Sequence, residues 1–313
     1  MAVQHNAALP ENLELSGYRI VKKIAVGGFS IVYLAEDAEG REVVIKEYMP
    51  AALAKRLRGE LLPRVAADQV ELYRIGMKYF FDEGRALASI VHPNVVRVLN
   101  FFRAHDTVYM VMAYERGRTL QEHIARRRQK GDKPLVSEPA IRSMFAQVMD
   151  ALREVHTHKL LHLDLKPANI YLRNDGTPIL LDFGAARQTL HVDLSRLHPM
   201  YTPGFAAPEL YTKHDLGPWT DIYSIGATIF TAMVGVPPQS SIERKRDDRM
   251  EVYFRELEHV YSKELIELVR WSLALDPLKR PQSVFALQKI MRPLAVLPTE
   301  QETLMSRLRR YVS

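Results

Sequence analysis

A chain of 313 residues exceeds the usual single-domain size, so one large bilobal unit or two domains are expected. Its 47% hydrophobic and 26% charged residues are ordinary globular values, and the absence of cysteine excludes disulfides and thiol chemistry, which fits a reducing compartment. The net charge of +6 is carried by runs such as Arg126-Arg127-Arg128 and Arg307 to Arg310, read as solvated helix faces ahead of nucleic-acid or acidic-lipid contacts.

Residues 1–15 read as a short polar arm without a charged-then-apolar signal pattern. From Tyr18 the pattern turns to strands: YRIVKKIA, then IVYLAED, a turn at Glu39-Gly40, then EVVIKEY. Alternating β-branched residues bounded by glycine predict antiparallel pairing. The stretch 47–79 is longer than a strand-to-helix link needs. Its basic first half, MPAALAKRLRGELLPR, is expected to be partly helical, as a regulatory surface or a decorated loop. From about Ala67 the spacing Val70, Tyr73, Met77, Phe80, Leu87, Val91 predicts a helix, with Gly84 a weak point and His92-Pro93 its end. Two more strands follow, VVRVLNFF and TVYMVMAY.

Beyond Glu115 helices dominate: TLQEHIARRR, AIRSMFAQVMDALREVHTHKL, DIYSIGATIFTAMVG, KELIELVRWSLAL and SVFALQKIM. Short strands near Ile170–Leu172 and Ile179–Leu181 flank an Asn174-Asp175-Gly176 turn. The longest apolar run, Gly226 to Val236, is too short to span a bilayer and reads as a buried helix, so a soluble, cytoplasmic chain without a membrane span is expected. A sheet-rich lobe joined near Ala113–Gly117 to a helical lobe places a cleft between them, a common ligand position.

The chemistry concentrates in His162-Leu163-Asp164-Leu165-Lys166-Pro167-Ala168-Asn169 and in Asp182-Phe183-Gly184, eighteen positions beyond Asp164 (182 − 164). One carboxylate beside a lysine and an amide, then a second carboxylate, can hold magnesium and phosphate while steering a hydroxyl. Upstream, Lys46 sits in the apolar run Val43-Val44-Ile45-Lys46, where burial is costly unless an anion meets it; alone it also fits a surface lysine on an edge strand. Gly27-Gly28 between two strands is, taken alone, a plain hairpin.

These residues resemble the eukaryotic-like serine/threonine protein kinases of bacteria, from Tyr18 to Arg292. The resemblance implies an α+β bilobal fold. A small antiparallel β-sheet N-lobe plus one helix (16–113) would join a larger, mostly helical C-lobe (114–297), followed by a basic helical tail (298–313). It implies ATP and Mg2+, or Mn2+, as cofactors, and transfer of the γ-phosphate to Ser/Thr hydroxyls of proteins, the chain itself included. Ala25, Val26, Gly27, Gly28, Phe29, Ser30 and Val32 would cover the nucleotide. Lys46 would contact the α- and β-phosphates and pair with Glu83, whose bland alternative is a surface pair with Arg85. Met112 would back the adenine pocket or simply fill core, and Ala113, Tyr114 and Glu115 would border it. Asp164 would be the catalytic carboxylate, Lys166 would neutralise the transferring group, and Asn169 and Asp182 would ligate the metal. Thr202, in Tyr201-Thr202-Pro203-Gly204-Phe205-Ala206-Ala207-Pro208-Glu209, would bond towards Asp164 and Lys166. Glu209 would pair with Arg280, and Asp221 would brace the catalytic loop or cap its helix. His156, His158 and His162 read as structural rather than a zinc cluster.

Two departures stand out. The loop keeps the middle of three usual glycines, Gly27, with Ala25 and Ser30 at the outer positions. Leu163 replaces the arginine that often precedes the catalytic Asp, so phosphate on the following loop (Thr189, Ser195, Tyr201, Thr202) has no such partner. The main alternative is a nucleotide-binding scaffold of kinase fold without turnover; a small-molecule kinase fits Ala207-Pro208-Glu209 less well. Protein substrates and a phosphoprotein phosphatase counterpart are the expected partners, and no nucleic acid.

Overall fold

The computed structural model describes residues 6–182, 202–212 and 215–291. Thr189, Ser195, Tyr201 and the 298–313 tail lie outside them. The small lobe is built on strands β1 (Glu14–Leu15), β2 (Tyr18–Val26), β3 (Ser30–Glu36) and β4 (Glu42–Tyr48). After a two-stranded hairpin, β5 (Ala54–Lys55) and β6 (Arg64–Val65), come helix α1 (Val70–Ala88) and strands β7 (Val98–Ala104) and β8 (Thr107–Ala113). The sheet order is β1-β2-β3-β4-β8-β7, and every neighbouring pair is antiparallel. Gly40, at a φ of 76°, makes the β3–β4 turn with the Asp37 carboxylate accepting from the Glu39 and Arg41 amides.

Helix α1 buries Tyr73, Met77, Phe80 and Leu87 against the sheet. Val91, expected on the same stripe, lies beyond the helix end and is 90% exposed. Two glycines make the close approach: a Cβ on Gly76 would overlap the Tyr48 hydroxyl at 1.9 Å, and one on Gly84 would press Met110 Cε at 3.1 Å.

The basic half of the 47–79 stretch corrects the expectation of a partial helix. It folds as a turn at Pro50 and the β5–β6 hairpin, while α1 begins at Val70, close to the expected onset near Ala67. Pro50, Gly59 and Pro63 interrupt any helical run there, and Arg56 is withdrawn from solvent by an ion pair with Glu47. The 6–15 segment is not simply polar. Leu9 and Leu15 are buried, and Glu14–Leu15 pairs with β2.

The large lobe contains β9 (Gly117–Thr119), α2 (Leu120–Gln129), α3 (Glu138–Thr157), β10 (Ile170–Arg173), β11 (Pro178–Leu180), α4 (Pro208–Thr212), α5 (Pro218–Val234), α6 (Ser241–Arg244), α7 (Met250–Leu257), α8 (Lys263–Ser272) and α9 (Val284–Met291). Helix α5 is buried on every face from Thr220 to Met233, its Ser224, Thr228 and Thr231 hydroxyls donating to backbone carbonyls, with α3, α8 and α9 packed about it. Among the described residues no helix is long and apolar enough to cross a membrane.

Two devices fix the lobes to one another. The Leu180 amide donates to Asn94 O (2.8 Å) and the Val96 amide to Leu180 O (3.0 Å), so the chain entering β7 pairs with β11. Residues 95–97, expected as the start of a strand, make this junction, and β7 itself starts at Val98. Glu115, in the 114–116 link, takes the Arg173 guanidinium bidentately at 2.7 and 2.8 Å. The cleft between the lobes is thereby lined by β3, β4, the link and the loops around β10 and β11.

Candidate active site

Lys46 lies on β4 between β3 and β8, paired in register with Val32 and Met110. Its side chain is 9% exposed, and its ammonium forms an ion pair with the Asp182 carboxylate that follows β11. Burial alone would pull the ammonium down. The charges of Asp182, Glu83 and Asp164 outweigh it and hold the group above its ordinary value. Enclosure between the lobes would raise Asp182, but Lys46 first, then Lys166, keep it below the usual carboxylate range. Asp182 also adopts a left-handed φ of 54°, uncommon for residues other than glycine though tolerated by aspartate. The side chain keeps 48% of its surface open to the cleft.

The second carboxylate is organised by its own loop. Lys166 Nζ donates to Asp164 Oδ2 (2.7 Å) and to Thr202 Oγ1 (2.8 Å), and the Thr202 hydroxyl lies 3.2 Å from Asp164 Oδ1. Asn169 Nδ2 donates to Asp164 O (2.8 Å) and Oδ2 (3.2 Å). That use of its nitrogen leaves the Asn169 Oδ1 oxygen for a cation.

Beneath the loop, Asp221 of α5 is fully buried. Its Oδ1 accepts the Leu163 amide at 2.7 Å, and its Oδ2 accepts the His162 amide (2.9 Å) and His156 Nε2 (2.8 Å). The end of α5 is capped instead by Thr220 Oγ1, which accepts from the Gly217 amide, so Asp221 acts as the brace. Burial would raise its carboxyl, but the bond from His156 and the backbone amides hold it low. His162 is also buried, and burial pulls it below its ordinary value. Its Nδ1 accepts the Asp164 amide (3.4 Å) and its Nε2 donates to Leu181 O (3.1 Å), the pattern of a neutral ring. His158 Nδ1 donates to Glu154 O (3.0 Å). The three histidines therefore serve backbone and carboxylate partners.

Leu163 takes a left-handed φ of 60° and packs with Leu161, Ala206, Leu210 and Leu216. Helix α4 is anchored nearby: Arg280 reaches both Glu209 oxygens at 2.6 and 3.0 Å, and neither residue is more than 6% exposed.

The remaining expected residues border the same cleft. Ala25 and Val26 end β2, opposite Val32 and Ile31 of β3, and Ser30 opens β3. The Gly27 amide donates to Ser30 O at 2.8 Å, closing the turn over Gly28 and Phe29. Met112 is half-buried against the core, and Tyr114 and Glu115 form the link. The Ala113 amide is taken by Arg97 O (2.9 Å), which removes that donor from any adenine-facing set. Glu83 is half-buried on α1, and its charge helps hold Lys46 above its ordinary value. The groups that sequence reading missed are Arg56, Asn6 and the tyrosines around Glu47; an Arg–Glu pair nine positions apart carries no recognisable spacing.

A family model, protein kinase domain, matches residues 18–291. The serine/threonine-protein kinase PknA of Nostoc sp. is 28% identical over 241 residues, 73% of this chain and 39% of the relative. Mouse serine/threonine-protein kinase Nek1 is 33% identical over 215 residues, 68% of this chain and 16% of the relative. The chain thus spans well under half the length of these curated relatives. Among solved structures, the apo form of PpkA-294 superposes with a TM-score of 0.80 at 34% identity, covering 91% of this chain and 99% of that one. The PknI kinase domain of Mycobacterium tuberculosis gives 0.63 at 23% identity, covering 91% and 98%, a likeness of fold. The curled antiparallel sheet, the helical lobe and a match over most of its length place the chain in the protein kinase family.

Proposed function

We propose that this chain is an ATP-dependent serine/threonine protein kinase that transfers the γ-phosphate to Ser/Thr hydroxyls of proteins, itself included. The observation that supports it best is the convergence of the buried Lys46 ammonium and the cleft-facing Asp182 carboxylate with Asp164, Lys166, Asn169 and Thr202 at one edge of the cleft. In the general protein-kinase scheme the protein mainly positions groups and stabilises charge. Asp164 takes the acceptor hydroxyl's proton; its oxygens are already held by Lys166, Asn169 and Thr202. Lys166 offsets the negative charge of the transferring group, and Lys46 turns to the α- and β-phosphates. The Gly27-Gly28 turn needs no positive φ, and a Cβ on Gly27 would meet Ser30 O only at 3.7 Å. What glycine provides there is room above the turn for phosphate.

The donor set suits Mg2+, which is held by one or two carboxylates together with substrate phosphates rather than by an all-protein cage. Asp182 and Asn169 Oδ1 would hold it. When bound, the ion neutralises phosphate oxygens as a Lewis acid; Mn2+ accepts the same ligands. Thr202 beside Lys166 completes a site that favours Ser/Thr acceptors, and Leu163 leaves loop phosphate without an arginine partner. The expected setting is cytoplasmic, with protein substrates and an opposing phosphatase.

The test is incubation with γ-labelled ATP, Mg2+ and a generic protein acceptor, followed by phosphoamino-acid analysis. Label on serine or threonine, lost in Lys46→Met, is the expected result. Nucleotide binding without label on any protein would point instead to the scaffold reading.

A further inference from the structure

The Gly27–Phe29 turn is tied to the insertion that follows β4. The Met49 amide donates to Phe29 O and the Ala51 amide to Gly28 O, each at 2.8 Å. Each bond fixes a planar peptide unit, so two consecutive planes of the turn are set from outside it. The donors belong to a tight turn at Pro50, whose carbonyl accepts the Leu53 and Ala54 amides at 3.0 and 2.9 Å. That turn leads directly into the β5–β6 hairpin.

The hairpin is in turn rooted on the lysine strand. Arg56, with 0% side-chain exposure, reaches Glu47 Oε1 (2.5 Å) and Oε2 (2.7 Å), the residue next to Lys46. It also donates to the Tyr33 hydroxyl (3.0 Å), Ala7 O (2.9 Å) and Leu61 O (3.4 Å). Glu47 accepts the Tyr33 and Tyr109 hydroxyls at 2.7 and 3.0 Å. Asn6 brackets the hairpin, donating to Ala54 O and accepting the Arg56 amide, both at 3.0 Å. A buried ion pair of this kind adds little net stability compared with apolar side chains of equal volume. What it imposes is one geometry for the parts it joins. Here those parts are the strand of Lys46 and the turn beside the phosphate loop, a loop that keeps one of three usual glycines.

We propose that the 49–56 segment is a strut that sets the height of the Gly27–Phe29 turn above Lys46, with Ala51 and Arg56 as positioning residues for nucleotide binding. This rests on the assignment of that turn as the phosphate loop. Neither residue touches the nucleotide; each acts through the turn.

Ala51→Pro isolates the strut. Position 51 follows the first residue of the Pro50 turn, where proline's fixed φ is favoured, yet the donor to Gly28 O is lost. Amide hydrogen exchange in the nucleotide-free protein is followed at Gly27 and Met49, with Val148 of α3 as the distant control. Affinity for Mg-ATP is measured by calorimetry, and KM for ATP and kcat are measured separately. Exchange at Gly27 and Met49 should quicken, and ATP affinity fall, by about two- to tenfold, the worth of one neutral hydrogen bond. The control amide should hold and kcat should change by less than about twofold. Arg56→Lys, which keeps the charge but not the fork, should reproduce the pattern from the other end. Unchanged exchange at both amides, unchanged ATP affinity, or equal acceleration at Val148 would each overturn the strut. If the variants show these shifts in exchange and ATP affinity while the wild-type chain binds ATP yet transfers no phosphate, the strut is retained and the kinase assignment refuted.

Discussion

Asp221→Ala removes the acceptor beneath the catalytic loop, and its cost follows from the three donors it strands. The His162 and Leu163 amides and the His156 ring lie 2.7 to 2.9 Å from a carboxylate that is 0% exposed. A hydrogen bond to a charged group contributes about 1.5–3 kcal/mol, but three sharing one carboxylate do not add, and burying that charge offsets part of the gain. A net loss of about 4–5 kcal/mol is expected, at the upper end for single substitutions. At about 2–4 °C per kcal/mol for a domain of this size, Tm should fall by roughly 8–20 °C in calorimetry. Asp221→Asn keeps one oxygen and should lose about half as much. Turnover should fall by more than about tenfold where the variant remains folded, because Leu163 relaxes from its left-handed φ and Asp164 moves with it. A Tm shift under about 3 °C with turnover intact would refute the brace.

Arg280→Met should cost about 3–5 kcal/mol in denaturant unfolding, because it leaves the buried Glu209 carboxylate unpaired, and adding Glu209→Leu should recover most of it. A double variant no better than the single would contradict the pairing. The lowered His162 means that the unfolded chain binds more protons, so its contribution is present above about pH 6.5 and is lost as pH falls below it. The stability difference between pH 7.5 and 5.5 should therefore shrink in His162→Gln; an unchanged difference would assign the slope to other groups. With buried Leu163 unable to receive a phosphate, Thr189→Ala and Ser195→Ala should leave turnover largely intact. A loss of about a hundredfold would show that loop phosphorylation matters.

The residues of the candidate site were legible as a group because the chemistry proposed for them demands particular side chains at particular separations. Asp164, Lys166 and Asn169 come together through local bonds, Thr202 joins them from 36 residues beyond Lys166, and Asp182 meets Lys46 across the cleft. The strands of the small lobe were legible from β-branched alternation, EVVIKEY being matched end to end by β4. Other features depend on packing that leaves no periodic trace. Arg56 sits in a basic stretch and looks solvent-facing until Glu47 draws it inside. Helix α7 is short, and MEVYFREL mixes charge with only three buried residues. The 6–15 segment looks polar, yet Leu9 and Leu15 are buried against the sheet. Where an element is held by one distant partner rather than by a repeating face, the sequence names the residues but not the contact.

The most direct test is Asp164→Asn, assayed in one preparation for Mg-ATP affinity by calorimetry and for phosphate transfer to a protein acceptor. Lys46 and Asp182 remain, so affinity should stay within about threefold of wild type while transfer falls by about a thousandfold or more. Transfer at the wild-type rate by this variant would contradict the central claim.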